Sequence, residues 1–376
     1  LKIAKINLVN FRNYANININ LGDKLNIFVG NNAAGKTNIL ESIVILALTK
    51  SYRLGVNPNI IMFNKDKTKI KGVIKNNKIV TKLEIEVTND YKKLKVNQNY
   101  IKKVALYIAN LNVIVFTPDD LEIIKGSPNI RRNLLNMQLS QLTKIYLNTY
   151  NEYNKILKTR NEYLKLLFTN SLQDKKYLDI LTDKLIEKAI IIYQKRREYL
   201  DLINENINNI YKFITNDNDL RVEYVPNINL KDYSDEEIRK ELSKKFKFNY
   251  QKELSYGMTL YGPHRDDYNF ILKDSDLKYF GSEGQKKVAI LAFKLAEINI
   301  FKNITGTNPV LLLDDIFSEL DINKRKKLLS YVDSDIQTII TTTDLKNINK
   351  KYLDNAKVFL VKNNMIMEQG GKKDDC

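Results

Sequence analysis

Gly30-Asn31-Asn32-Ala33-Ala34-Gly35-Lys36-Thr37 fits the pattern G-x-x-x-x-G-K-[ST], the phosphate-binding P-loop. Its flanks support the same reading. Lys24 to Val29 reads as a short buried strand, and Ile39, Leu40, Ile43 and Ala47 recur at helical spacing just after the loop. Strand, glycine loop and helix is the order that phosphate binding requires. The glycines let backbone N–H groups converge, and the helix N-terminus adds partial positive charge. In such a loop Lys36 reaches the β- and γ-phosphates and the Thr37 hydroxyl ligates Mg²⁺. Gly30 through Thr37, with the following Asn38, are therefore the candidate ATP contacts.

The 376 residues are enough for two domains, or for one domain with an insertion. No apolar run approaches the about 20 residues of a membrane span; the longest, Ile43 to Leu48, belongs to the P-loop helix. No secretory signal pattern opens the chain, and Leu1 in place of Met reads as an alternative start codon or a trimmed terminus. The single cysteine, Cys376, excludes a disulfide framework and a cysteine-based zinc site. A cytoplasmic protein without a membrane partner is the expectation. The net charge of +17 favours a phosphate-rich partner, although Lys, Asn and Ile are abundant from end to end.

Residues 1 to about 115 read as strands around the P-loop helix, with three runs between 69 and 98 separated by Asn-Asn and Asn-Asp turns. Val113–Phe116 is a further strand. From Ser127, a candidate N-cap, and Pro128 to about 214 the period becomes helical, with Leu134, Leu135, Leu139 and Leu142, then Ile180, Leu181, Leu185 and Ile192. A strand at Leu220–Val225 and a helix near Ser234–Phe246 follow. The division expected is 1–127, 128–246 as an inserted helical lobe, and 247–376. The last eight residues read as disordered.

Pro309 to Leu313 is a buried strand ending in Asp314-Asp315, a Walker B element. Asp314 is the second expected Mg²⁺ contact, and Asp315 is placed to orient or deprotonate water. Just upstream, Ser282-Glu283-Gly284-Gln285 opens an amphipathic helix. Ser282 can cap it, Gln285 can close a capping box, and Gly284 lets a phosphate approach the backbone. A Walker A and a Walker B separated by most of the chain, with S-x-G-Q just before the latter, resemble the ATP-binding cassette family. One fold cannot aim both helix ends at one γ-phosphate, so Ser282, Gly284 and Gln285 are expected to meet the nucleotide of a second copy.

Four segments sharpen the resemblance. Asn10-Phe11-Arg12-Asn13-Tyr14, Pro118 to Pro128 with Arg131-Arg132, Gly262-Pro263-His264-Arg265-Asp266-Asp267, and Leu312 to Asp321 are similar, in order, to the RecF family of bacterial recombination mediators. That resemblance implies an α/β ATPase head like those of Rad50 and SMC proteins, with mixed sheets and a short helical lobe in place of a coiled coil. It implies ATP-dependent homodimerisation on single-stranded or gapped DNA. It further implies work with RecO and RecR to load RecA in repair, replication restart and the SOS response. It makes Asp321 a dimer-bridging residue and Arg53 an SMC-type arginine linking DNA to hydrolysis. Arg12 and Asn13 stand either as base or ribose contacts or as a structural strand end. His264 stands as a brace for the signature loop. Arg131 and Arg132 either contact DNA or pair with acidic residues inside the lobe. Leu134, Asn136, Tyr52 and Thr343 depart from the family or cassette pattern. The short carboxylate of Asp315 and the absence of a switch histidine point to slow hydrolysis.

Three rivals fit less well. A Rad50- or SMC-like structural ATPase needs long arms or a cysteine hook. A transporter subunit needs a coupling glutamine loop and a switch histidine. A nuclease needs an added acidic or histidine metal cluster.

Overall fold

The computed structural model describes residues 1–53, 60–169, 174–332, 335–345, 348 and 350–369. Cys376 and the tail from 370 lie outside the described residues. The strands, in chain order, begin with β1 (Lys2–Phe11), β2 (Tyr14–Asn20), β3 (Leu25–Val29), β4 (Lys67–Asn76) and β5 (Ile79–Thr88). Then come β6 (Lys92–Val96), β7 (Asn99–Tyr100), β8 (Val113–Phe116), β9 (Leu220–Val225) and β10 (Asp267–Leu272). The last are β11 (Ser275–Asp276), β12 (Val310–Asp314), β13 (Thr338–Thr342), β14 (Ala356–Lys362) and β15 (Met365–Glu368). The chain divides into two compact units, 1–120 with 297–376, and 121–296.

The first unit holds a sheet of order β15-β14-β3-β13-β12-β8. All its neighbours pair parallel except the edge strand β15, which is antiparallel to β14. A parallel sheet is covered on both faces and so reads as unbroken apolar runs; Leu311, Leu312 and Leu313 of β12 are all fully buried. The P-loop leaves the end of β3, and Asp314 ends β12. Between them runs β13, with Thr341 in register opposite Asp314.

The same unit carries an antiparallel sheet of order β2-β1-β4-β5-β6-β7. The three runs read between 69 and 98 are β4, β5 and β6. Period-two alternation sorts β4 into buried Thr68, Ile70, Gly72 and Ile74 and exposed Lys67, Lys71 and Lys75. The helix Lys36–Leu48 touches strands of both sheets. It is apolar on nearly every side, which suits a helix buried all round. Its approach to β4 is close enough that a Cβ on Gly72 would lie 2.4 Å from Leu46 Cδ2.

The second unit is built from the helices Pro128–Leu142, Lys144–Thr169, Lys175–Thr215, Asp235–Phe248 and Tyr250–Tyr256, and the sheet β11-β10-β9. Local signals set the helix ends. Ser127 takes the N-cap position ahead of Pro128, without a side-chain cap bond. Asp174 accepts from the Lys176 N–H at 2.8 Å, and Ser234 from that of Glu237 at 3.3 Å. Leu181, Leu185 and Ile192 are buried as their spacing implies, whereas Ile180 is 50% exposed and stands outside the apolar stripe.

The Gly262–Asp267 segment ties these helices to β10. Arg196 is fully buried and donates to the Pro263 carbonyl, to Asp266 Oδ2 at 2.9 Å and to Asn136 Oδ1 at 2.9 Å. Tyr224 also donates to Asp266 Oδ2. Arg131 forms a two-pronged pair with Asp267, at 2.6 and 2.8 Å, and donates to the Ile123 and Gly126 carbonyls. Arg132 donates to the Asp266 carbonyl at 2.7 Å. Arg131 is thus paired with an acidic side chain within this unit, whereas Arg132 is held by a backbone carbonyl.

His264 uses both ring nitrogens here. Tyr153 OH donates to Nδ1 at 2.6 Å and Nε2–H donates to the Thr259 carbonyl at 3.2 Å. That pattern requires the neutral ring. Burial, first of all, pushes its pKa down from 6.5 to about 4. Unfolding between those values therefore takes up a proton. The associated stability is fully present above pH 6.5 and is lost as the pH falls to about 4, by on the order of 3 kcal/mol. Thermal melts from pH 7 to pH 4 should show this loss, and His264→Gln, whose amide can make both bonds, should flatten it. Parallel melting curves of the two proteins across that range would contradict the assignment.

Candidate functional site

The P-loop is shaped by close approaches. Gly30 follows β3 and lies against β14, where a Cβ would meet the Val361 carbonyl oxygen at 2.3 Å. Gly35 has φ +104°, and a Cβ there would lie 2.6 Å from Tyr14 OH and 2.7 Å from Asn13 Nδ2. Tyr14 OH donates to the Gly35 carbonyl at 3.1 Å, so the β1–β2 turn lies directly on the loop. Asn31, Asn32 and Ala33 are exposed, and Ala34 half-buried. Ala33 also has positive φ, 63°.

Lys36 is nearly buried. Its Nζ donates to the Gly30 carbonyl at 2.7 Å and the Asn31 carbonyl at 2.9 Å. Burial pushes the ammonium pKa down, against the opposing pull of Asp315 and Asp314. Thr37 Oγ1 donates to Asp314 Oδ1 at 2.8 Å, and Thr341 Oγ1 donates to the same oxygen at 2.8 Å. Tyr52 OH donates to Asp314 Oδ2 at 3.1 Å. Burial and the adjacent Asp314 push the Tyr52 hydroxyl far above the ordinary tyrosine range, which keeps it a donor. Asp315 follows with φ 49°, a left-handed conformation that is uncommon outside glycine, and its N–H donates to Thr341 Oγ1 at 3.0 Å.

A second cluster braces the helix behind the loop. Glu41 is completely buried on that apolar helix. Arg12 grips it with two bonds, 3.0 and 2.7 Å; Ser51 donates to it at 2.6 Å; Arg53 stands 3.7 Å away. Arg53 also donates to Asn38 Oδ1 at 3.2 Å, and Asn38 to Asn13 Oδ1 at 2.8 Å. Asn13 in turn donates to Asn364 in the β14–β15 turn. Arg12, Asn13, Lys36, Thr37, Asn38, Asp314 and Asp315 thus gather in the first unit. Asp321, in the same unit, caps the helix Ile322–Val332 by accepting from the Lys324 N–H at 2.9 Å, and pairs with Lys324 Nζ at 2.8 Å.

Ser282, Gly284 and Gln285 belong to the second unit, at the start of the helix Glu283–Thr305. The reciprocal capping bonds are both made: Ser282 N–H to Gln285 Oε1 at 2.8 Å, and Gln285 N–H to Ser282 Oγ at 3.2 Å. A Cβ on Gly284 would have no atom within 4 Å, so packing inside the chain does not require glycine there.

Sequence reading missed Glu41, Tyr52 and Asn364 as parts of the site. Glu41 carried a signal, a lone acid within an otherwise apolar helical stretch. Tyr52 stood out only as a departure from the family pattern beside Arg53, and Asn364 carried no signal.

The residues present fit a nucleoside triphosphate with a hard cation. The loop offers an ammonium ringed by carbonyls that phosphate oxygens can replace. Among the described residues no cluster of three or more His, Cys, Asp or Glu could hold a metal alone. One hydroxyl and one carboxylate are what a Mg²⁺ shared with substrate phosphates takes from a protein.

The family model for the RecF/RecN/SMC N-terminal domain matches residues 2–367. The chain belongs to the RecF family. It is 37% identical to the DNA replication and repair protein RecF of Ligilactobacillus salivarius, over 98% of this chain and 97% of that one. It is 38% identical to RecF of Listeria monocytogenes, over 97% and 99%. Among solved structures, the recombination mediator RecF with ATP superposes with a TM-score of 0.91 at 29% identity, covering 98% and 97% of the two chains. An Smc head bound to the winged-helix domain of ScpA matches at a TM-score of 0.56 and 15% identity, a likeness of fold alone. The α/β ATPase head read from the sequence is the fold of this RecF-family chain.

Removing one partner of a buried charge pair leaves the other uncompensated. Glu41→Ala should therefore lower the unfolding free energy by about 3 kcal/mol in denaturant melts. Glu41→Ala combined with Arg12→Met should recover part of that loss. Equal melts for wild type and Glu41→Ala would show that the cluster contributes nothing.

Proposed function

We propose that this chain is an ATP-dependent, DNA-binding recombination mediator that closes as a homodimer around ATP. The observation that carries the reading is the Thr37–Asp314 contact at the end of a P-loop scaffold, in a member of the RecF family. Lys36 would exchange its two backbone carbonyls for the β- and γ-phosphates, and the N–H groups of Gly30 to Asn38 would cradle them. Mg²⁺, when bound, supplies charge neutralisation of the phosphates. Thr37 and Asp314 are the residues that would hold it, with Tyr52 and Thr341 orienting the carboxylate.

Asp315 would orient the attacking water. One methylene shorter than glutamate, it suits slow, DNA-stimulated turnover, a timer more than a motor. Arg12 and Asn13 brace the loop from the β1–β2 turn in this reading. Arg53, 42% exposed and linked to Asn38 and Glu41, is placed to pass a contact on the protein surface to the P-loop helix.

Ser282, Gly284 and Gln285 would contact the nucleotide of a second copy, and Asp321 would bridge the two. The open space at Gly284 supports this, because that glycine answers no need within its own chain. Phosphate contacts would dominate DNA binding at gaps and single strands, with little sequence preference. In this reading the protein works in the cytoplasm with RecO and RecR, upstream of RecA loading. No helix among the described residues is long and apolar enough to cross a membrane.

Sedimentation with ATP and Mg²⁺, with and without gapped DNA, tests the reading. Wild type should dimerise only with ATP, and more readily on DNA. Ser282→Arg should bind ATP yet stay monomeric. A monomer under every condition, with ATP bound, would sink the dimer and leave a single-headed switch.

A further inference from the structure

The solvent face of the antiparallel sheet carries charge in an unusual arrangement. On β4 the outward positions Lys67, Lys69, Lys71 and Lys75 form a file, and only Val73 interrupts it. Outward neighbours on one strand are two residues apart, about 7 Å. That is close to the spacing of successive phosphates along a nucleic-acid strand.

The strand register extends this file sideways. One row reads Asn18, Asn7, Lys71, Glu84, Lys95, Tyr100 across all six strands. The next reads Asn16, Val9, Lys69, Glu86, Lys93. A third adds Lys5 and Lys82 on either side of Val73. Six strands set about 4.8 Å apart make a platform about 24 Å wide.

Composition alone does not produce this surface. The whole chain has 61 basic residues to 44 acidic ones. On this face, among the described residues of β1, β4, β5 and β6, the only carboxylates are Glu84 and Glu86. Each is shared between lysines. Glu86 pairs with Lys69 at 2.9 Å and faces Lys93, while Glu84 lies 3.7 Å from both Lys71 and Lys95. Lys2 and Lys75 stand directly opposite one another across β1 and β4, with Lys2 paired to Asp23 at 3.1 Å. At the far edge two tyrosines present their ring faces to lysines, Lys93 over Tyr91 at 4.5 Å and Lys95 over Tyr100 at 4.7 Å. A flat cationic sheet with aromatic rings at its margin and uncharged asparagines opposite suits an extended polyanion. It offers no protruding element to enter a groove and read bases.

We propose that this sheet face is where the chain takes up the phosphate backbone of DNA. The proposal rests on the DNA-binding reading above and locates it on the antiparallel sheet. Lys67, Lys75 and Lys82 are exposed, and replacing them leaves the Lys69–Glu86 and Lys71–Glu84 pairs in place.

The test is fluorescence anisotropy with a single-stranded and a duplex oligonucleotide, over a salt series, with ATP and Mg²⁺. The proteins compared are wild type, the triple variant Lys67→Gln, Lys75→Gln and Lys82→Gln, and a control triple, Lys155→Gln, Lys176→Gln and Lys184→Gln, in the helical unit. The sheet variant should bind at least about tenfold more weakly near physiological salt, and its slope of log K against log salt should be shallower by about 2 to 3. The control should stay near wild type. Restoring charge with Lys67→Arg, Lys75→Arg and Lys82→Arg should restore binding. The oligonucleotide that shows the larger loss identifies the strand form that lies on the sheet. Equal binding by the sheet variant and wild type, or an equal loss in the control, would overturn the proposal while leaving DNA binding intact. Wild type that binds neither oligonucleotide would overturn the DNA-binding reading itself.

Discussion

One carboxylate holds the nucleotide half of this molecule together. Asp314 accepts hydrogen bonds from the hydroxyls of Thr37, Thr341 and Tyr52, which come from the P-loop helix, the neighbouring strand β13 and the loop after that helix. A carboxylate at the end of a buried strand needs such donors, because an unsatisfied charge there would cost several kcal/mol. Hydroxyls satisfy it without neutralising it. The three donors bring no positive charge of their own, so the site remains attractive to a cation. Replacing any of the three donors with an ammonium would hold the carboxylate equally well and defeat that purpose.

The second constraint is Glu41. A buried acid on an apolar helix is tolerable only while several donors surround it. Arg12, Ser51 and Arg53 do so here, and they come from both sides of the helix in sequence. This arrangement converts a desolvation problem into a mechanical link. The β1–β2 turn, the P-loop helix and the loop at 51–53 cannot move independently without exposing or orphaning that charge. Asn13, Asn38 and Asn364 add neutral bonds on the same side. The second unit follows a related logic with different parts. Arg196 and Asp266 are both buried, and their bonds to Asn136, Tyr224 and Pro263 lock helices to strand β10.

Much of this was legible in the residues. The P-loop, the Walker B strand and the capping box at Ser282 are local patterns, and local patterns survive in a linear reading. The alternation of β4 to β6 and the stripe of Leu181, Leu185 and Ile192 are local as well. Contacts made by register between distant strands were not legible. Tyr52 lies 262 residues from Asp314, and Asn13 lies 351 from Asn364. No periodicity links such pairs. The fate of Arg131 stayed open for the same reason, since its partner Asp267 is 136 residues away. Ile180 shows the opposite failure. It continued a helical spacing in the sequence, but the stripe turned away beneath it.

The order of strands in the parallel sheet sets a timetable for synthesis. Strand β3 is made among the first thirty residues, yet both of its neighbours, β13 and β14, lie beyond residue 337. At ribosomal speed about 15 to 60 s pass between the emergence of β3 and that of its partners. Meanwhile the antiparallel sheet can close from residues 2–100 alone. The P-loop strand waits through that interval as an apolar segment with two unsatisfied edges, the kind of surface on which chains associate wrongly. A nascent chain cut short between the P-loop helix and β13 therefore carries an intact phosphate-loop sequence without the strands that hold it in shape, so interrupted synthesis would release fragments with a sticky strand and no nucleotide site.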